Sequence, residues 1–122
     1  MTVELNHIII PARDRLASAR FLAGILGLSA GPPLGPFIPL RVGNGVTLDY
    51  ADATDFHSHH CAFLVGEEEF DAAFARIRSE SIPFYADPHH TRRGEINHHN
   101  GGRGLYFEDP DGHNMELLTR AT

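Results

Sequence analysis

The chain has 122 residues, a formal net charge of −6 and 42% hydrophobic residues, which suits a single compact domain spanning 1–122. The acidic balance argues against a nucleic-acid partner, since such proteins carry a basic face. The apolar runs are too short to cross a bilayer, and the first residues lack a signal-peptide pattern. A single cysteine, Cys61, fits a reducing compartment. We therefore expect a cytoplasmic protein that binds neither nucleic acid nor membrane.

The first half of the sequence predicts a strand, a helix and two further strands. The opening run is rich in Ile and Val and closes at Pro11, as in a buried strand. Asp14 is placed to cap a helix that Gly27 ends. The predicted elements are a strand at 3–11, a helix at 14–26, and strands at 37–42 and 46–50.

The second half repeats this order. Its helix carries three acidic residues in the first turn and two arginines in the last, which complements the helix dipole. A long polar loop follows, and loops of that length inside a compact domain tend to be functional. The predicted elements are a strand at 60–65, a helix at 67–78, a strand at 82–85, a loop at 87–102, and strands at 104–107 and 113–119.

The two halves form a weak internal duplication of α+β type. His7 and His60 occupy equivalent places, each near the start of a half's first strand. Each half is too small to close a core alone, so we expect two paired modules, at about 1–55 and 56–122.

Three stretches of this sequence resemble the vicinal oxygen chelate superfamily, which includes glyoxalase I, fosfomycin- and bleomycin-resistance proteins and extradiol dioxygenases. The resemblance implies two paired βαβββ modules that curl into a half-open barrel around a metal ion. The stretches are Leu-Asn-His-Ile-Ile-Ile at 5–10, His-Cys-Ala-Phe at 60–63, and Tyr-Phe-Glu-Asp-Pro-Asp-Gly-His-Asn-Met-Glu at 106–116.

The same resemblance assigns the metal ligands to His7, His60 and Glu116. Two imidazoles and a carboxylate form a 2-His-1-carboxylate set, which leaves coordination positions open for substrate and oxygen. Strand alternation agrees, because each of these residues would face a cavity while its neighbours fill the core.

Within the superfamily, the last stretch is most similar to extradiol dioxygenases. That likeness implies Fe(II) or Mn(II), with Zn or Ni as alternatives, and a small catechol-type substrate. Tyr106 would donate a hydrogen bond to a substrate oxygen. His98 or His99 would act as acid or base, a role that suits a side chain with a pKa near neutrality.

Three other activities stay open. A glyoxalase-like lyase or isomerase needs a further carboxylate ligand in the first half, where only Asp49 is available at 45–50. A bleomycin-type resistance protein would use the barrel as a metal-free binding cup. Fosfomycin-type thiol transfer ranks lower, because its late basic residues are few: Arg92, Arg93 and Arg103.

Smaller predictions concern the neighbours of the ligands and the assembly. Cys61 is expected to be a core residue rather than a nucleophile, and His113 a turn-packing or solvent residue rather than a fourth ligand. Two-module members of the superfamily usually dimerise, so the resemblance implies a homodimer in which His7 acts either in the site of its own chain or across the interface.

Overall fold

The computed structural model describes residues 2–122 and divides into two compact units, one ending at His57 and one spanning Ser58–Thr122. In the described residues, each unit holds one α-helix and one three-stranded sheet. The elements are β1 (His7–Ala12), α1 (Arg15–Leu26), β2 (Phe37–Arg41), β3 (Thr47–Asp52), β4 (His60–Leu64), α2 (Glu67–Ser79), a 3-10 turn (His99–Gly101), β5 (Gly104–Glu108) and β6 (Asn114–Leu118).

The two units share one topology. The strand orders are β1-β3-β2 and β4-β6-β5, with the first strand parallel to the central one and the third antiparallel to it. His7 is the first residue of β1 and His60 the first residue of β4. The α+β class and the equivalence of the two histidines are therefore confirmed.

The ends of α1 follow the predicted capping signals. The Asp14 carboxylate accepts hydrogen bonds from the backbone N–H groups of Leu16 and Ala17, both at 3.1 Å. Gly27 ends the helix with a φ of 72°, a left-handed conformation that glycine adopts without a Cβ clash.

One face of each sheet packs on its own unit's helix. In the second unit, Phe70 and Ile77 of α2 are fully buried, as are the odd-numbered residues of β5 and β6. Strand alternation sends the even-numbered residues of those strands to the opposite face. The largest fully buried side chains are Ile10, Leu22, Ile25, Ile38, Leu40 and Tyr50 in the first unit, and Phe70, Ile77, Leu105, Phe107, Met115 and Leu117 in the second.

The structure departs from the predicted strands in two places. The strand expected at 3–11 begins only at His7, and its apolar start is exposed rather than buried: Val3 and Leu5 are 101% and 66% exposed. The strand expected at 82–85 is reduced to isolated bridges from Tyr85 to Arg93 and Tyr106. Pro83 lacks the backbone N–H that a longer ladder of hydrogen bonds needs. The strand predicted at 82–85, which would have given this unit four strands, therefore does not form.

The membrane prediction was tested on the helices alone. Neither helix within 2–122 combines the length and the apolar character that a membrane crossing requires.

Candidate metal centre

His60 and Glu116 meet on the open face of the second sheet. The His60 Nε2 atom lies 3.0 Å from Glu116 Oε1, although the residues come from β4 and β6. Glu116 pairs in register with Ala62, so His60 is its diagonal neighbour on the same face. The His60 side chain is 49% exposed and that of Glu116 14%. A nitrogen and an oxygen donor thus converge at a point that a ligand can reach.

Tyr106 completes this group from β5. It lies directly opposite Glu116 in the antiparallel pair, and its ring centroid is 5.9 Å from that of His60. Burial, together with the charge of Glu116 and a hydrogen bond to it, raises the pKa of Tyr106 to about 12. The phenol therefore stays protonated at neutral pH and can donate a hydrogen bond.

The neighbours of these residues face the core, as alternation predicts. Met115 and Leu117 are fully buried on the helix side of the sheet. Cys61 is half-buried, and burial together with the nearby Asp109 carboxylate raises the pKa of its thiol. A thiol held in its protonated form is a poor nucleophile, which agrees with its predicted structural role.

A buried histidine fixes the segment that leads into His60. His113 is fully buried, and its Nδ1 atom accepts a hydrogen bond from the His59 backbone N–H at 2.8 Å. The Asn114 N–H donates in turn to the His59 carbonyl at 2.8 Å, and Ser58 Oγ donates to the Gly112 carbonyl at 2.8 Å. His113 is therefore a turn-packing residue, and the solvent alternative for it was wrong.

The first unit presents His7 in a separate setting. His7 lines an open cavity of about 630 Å³, together with Phe37, Pro39 and Asp49. Its Nδ1 atom lies 2.8 Å from Asn6 Oδ1. An amide oxygen only accepts, so Nδ1 carries the proton and Nε2 keeps a lone pair for a metal ion.

The structure brings two of the three predicted ligands together. Within residues 2–122, no three His, Cys, Asp or Glu side chains cluster closely enough to hold a metal ion. The pair of His60 and Glu116 is formed, whereas His7 lies in the other compact unit.

The two predicted acid–base histidines lie at the 3-10 turn of the late loop. His98 precedes this turn and His99 begins it, and both are exposed. The His99 N–H donates to Asn97 Oδ1 at 3.3 Å. The loop histidine that the structure does bring to the face of Glu116 is a different one, His90.

His90 reaches the open face through Asn114, two residues before Glu116. The His90 Nε2 atom lies 2.9 Å from Asn114 Oδ1, and its ring stacks on Tyr85 with centroids 4.2 Å apart. Sequence reasoning missed these three residues. The sequence could have indicated only Asn114, because it lies two residues before Glu116 on the same strand and therefore faces the same side of the sheet.

Two of the three arginines considered for a phosphonate site, Arg92 and Arg103, have other partners. Arg103 Nη1 lies 2.8 Å from Asp71 Oδ1, and its guanidinium also contacts Glu67 and the Phe70 ring on α2. Arg92 forms an ion pair with Glu95 at 2.9 Å. Arg103 therefore lies on the helix side of the sheet, opposite the face that carries His60 and Glu116.

A family model covers nearly the whole chain. The model for the Glyoxalase/Bleomycin resistance protein/Dioxygenase superfamily matches residues 4–117. The chain belongs to this superfamily, also known as the vicinal oxygen chelate superfamily, and its members generally use divalent metal ions.

Three individual proteins of known name are similar to this chain over most of its length. A solved structure named Oxidase ChaP-H2 is 58% identical, with a TM-score of 0.97 over 99% of this chain and 96% of that one. A second, named Oxidase ChaP-H1, is 55% identical, with a TM-score of 0.96 over 98% of each chain. Among curated proteins, Glutathione transferase FosA from Serratia marcescens is 28% identical over 124 residues, covering 96% of this chain and 81% of the relative.

Proposed function

We propose that this chain is a metal-dependent oxidase or dioxygenase that acts on a small catechol-type substrate. His7, His60 and Glu116 would hold the metal ion, Fe(II) or Mn(II) by preference. The observation that carries the proposal is the 3.0 Å approach of His60 Nε2 to Glu116 Oε1 beside the Tyr106 ring.

The donor atoms of this pair fit such an ion. Imidazole nitrogen and carboxylate oxygen are the metal-binding atoms of 2-His-1-carboxylate sites. The hydrogen bond between His60 and Glu116 keeps one atom of each kind close together on the same face of the sheet. The bound metal ion would supply Lewis acidity and open positions for substrate and oxygen.

The residues around the pair would orient the substrate. Tyr106 would donate a hydrogen bond to a substrate oxygen, because its raised pKa keeps the phenol protonated. His98 or His99 would move a proton to or from the substrate, as first predicted. Burial of Leu105 and Phe107 on the opposite side of β5 keeps the Tyr106 ring directed to the open face.

The relatives support oxidation as the reaction class. The two solved structures described above, at 58% and 55% identity, carry the name oxidase. A glyoxalase-like lyase or isomerase is the second candidate, favoured by the position of Asp49 in the cavity that His7 lines. That reaction would use Zn or Ni rather than a metal that supports oxygen chemistry.

We also propose that the protein is a homodimer in which His7 completes the site of the partner subunit. β1 is an edge strand, and its apolar Ile8 and Ile9 are 39% and 49% exposed. Exposed apolar residues on an unpaired strand edge favour association with a second chain.

Oxygen uptake by anaerobically reconstituted protein tests the reaction class. Iron-loaded protein should consume oxygen when catechols are added and form product absorbance, and the Glu116→Ala variant should not. Bound iron without oxygen uptake with any catechol would refute the oxidase proposal. Isomerase activity restored only by Zn or Ni would favour the second candidate.

A further inference from the structure

A second polar group lies on the same face as Glu116, one step along the strands. Asn114 precedes Glu116 by two residues on β6, and Glu108 follows Tyr106 by two residues on β5. Glu108 and Asn114 are paired in register. Two residues of strand span about 7 Å, roughly the width of a substituted benzene ring.

The chain holds His90 over this second group by several contacts. The Asp87 carboxylate accepts hydrogen bonds from the backbone of Thr91 and Arg92, which closes the turn that contains His90. Within it, His90 has a φ of 60° and stacks on the Tyr85 ring, with an interplanar angle of 6°. Tyr85 in turn hydrogen bonds with the Tyr106 backbone in both directions, at 2.8 and 2.9 Å.

The hydrogen bonds of Asn114 define the protonation of His90. Asn114 Nδ2 donates to the Pro88 carbonyl at 3.3 Å, so Oδ1 faces His90 and accepts a hydrogen bond from its Nε2–H. His90 Nδ1 is then directed at Glu108 Oε1, 3.8 Å away. That distance is too long for a direct hydrogen bond, and the Glu108 side chain is 58% exposed. The Glu108 carboxylate is therefore available as an acceptor for a ligand.

The fixed charges of this face are negative. The strand positions on it carry two carboxylates, Glu108 and Glu116, and no lysine or arginine. The proposed metal ion at His60 and Glu116 would offset the charge of Glu116 and leave that of Glu108 at the remote end, where an anionic substituent would be repelled and a neutral hydroxyl accepted. The face positions of the three strands are His60, Ala62, Leu64, Gly104, Tyr106, Glu108, Asn114, Glu116 and Leu118.

We propose that Glu108 and His90 form a second subsite, which binds a hydroxyl group of the substrate on the side of the ring remote from His60 and Glu116. The inference rests on the proposed function and narrows it to uncharged, polyhydroxylated aromatic substrates. The substrate hydroxyl donates a hydrogen bond to the Glu108 carboxylate, while His90 forms the surface against which the aromatic ring of the substrate lies.

Three catechols that differ only in the remote substituent test the subsite. Calorimetry on anaerobic, metal-loaded protein would measure the affinities for 4-methylcatechol, 3,4-dihydroxybenzyl alcohol and 3,4-dihydroxybenzoate. The wild type should bind the alcohol about fivefold more tightly than the methyl compound, and the benzoate most weakly. In Glu108→Gln both differences should shrink toward equality, with metal content unchanged.

Glu95→Gln serves as the matched control, because it removes one exposed carboxylate from the same part of the chain, where Glu95 pairs with Arg92. This variant should keep the wild-type order of affinities. Equal preferences in wild type and Glu108→Gln, with all three catechols bound, would overturn the subsite and leave the proposed function standing. Absence of binding by every catechol to metal-loaded wild type would overturn both.

Discussion

His60 Nε2 and Glu116 Oε1 lie 3.0 Å apart, although 56 residues separate them in the sequence. Parallel pairing of β4 with β6 produces this approach, since it places Glu116 diagonally across from His60 on one face. His60 and Glu116 would hold the divalent cation of the proposed function, which supplies Lewis acidity when it is bound. The roles of all other residues at the site depend on this pair.

Tyr106→Phe should slow turnover without loss of metal. The substitution removes the hydroxyl that is directed at Glu116 and keeps the ring that packs beside His60. We expect kcat to fall at least about tenfold, because a preorganised donor to a substrate oxygen is lost. Steady-state oxygen uptake and metal analysis check this. Unchanged kcat would assign Tyr106 to packing alone.

The acid–base role of the late loop predicts a change in pH profile. If His98 or His99 transfers a proton, the alanine variant at that position should lose one limb of the pH dependence of kcat. His89→Ala, an exposed histidine of the same loop, is the control and should keep the full profile. Unaltered profiles in both test variants would exclude the two residues from catalysis.

His113→Ala should lower both stability and metal affinity. The variant leaves a cavity at the fully buried position of His113 and removes the acceptor of the part-buried His59 N–H. We expect a loss of about 2–4 kcal/mol in the free energy of unfolding, measured in urea. Because His60 follows His59, metal affinity should fall about tenfold as well. His89→Ala should change the unfolding free energy by no more than about 0.5 kcal/mol.

The turn that holds His90 should be sensitive to acid only at very low pH. Burial alone would raise the pKa of Asp87, but hydrogen bonds from the Thr91 side chain and from the backbone of Arg92 and Thr91 lower it from 3.8 to about 2. Ionised Asp87 therefore stabilises the folded state above pH 3.8, and this contribution is lost as the pH falls toward about 2. Carboxyl-carbon NMR should give a midpoint near that lower value. A midpoint at 3.8 or above would show that the turn is not closed in solution.

Shared sites predict complementation between inactive variants. His7→Ala and Glu116→Ala should each fail to bind metal as homodimers. A mixture that exchanges subunits should recover part of the metal binding, because one of its two sites then has all three ligands from intact chains. No recovery after verified subunit exchange would place His7 in the site of its own chain.

Local signals made most of the fold predictable. The capping residues of α1 interact with backbone groups only a few positions away in the sequence. The spacing of apolar residues in α2 indicates which face of that helix is buried. The approach of His60 to Glu116 was predictable for a related reason, since alternation along β4 and β6 decides the face that the two residues occupy.

The missed features depend on contacts that sequence patterns do not encode. His90 itself adopts a left-handed backbone conformation in the turn that Asp87 closes, and this conformation directs its side chain toward Asn114. The apolar start of the chain resembles a buried strand, yet Val3 and Leu5 are exposed. Hydrophobicity indicates that a residue favours burial, but not which surface of which chain covers it.

Metal content of anaerobically purified protein tests the central claim most directly. Wild type and the control His89→Ala should each hold about one divalent ion per chain, and His60→Ala and Glu116→Ala should bind it at least about tenfold more weakly. Circular dichroism would confirm that all four proteins are folded. Stoichiometric metal retained in both His60→Ala and Glu116→Ala would contradict the account, because the ion would then be held elsewhere.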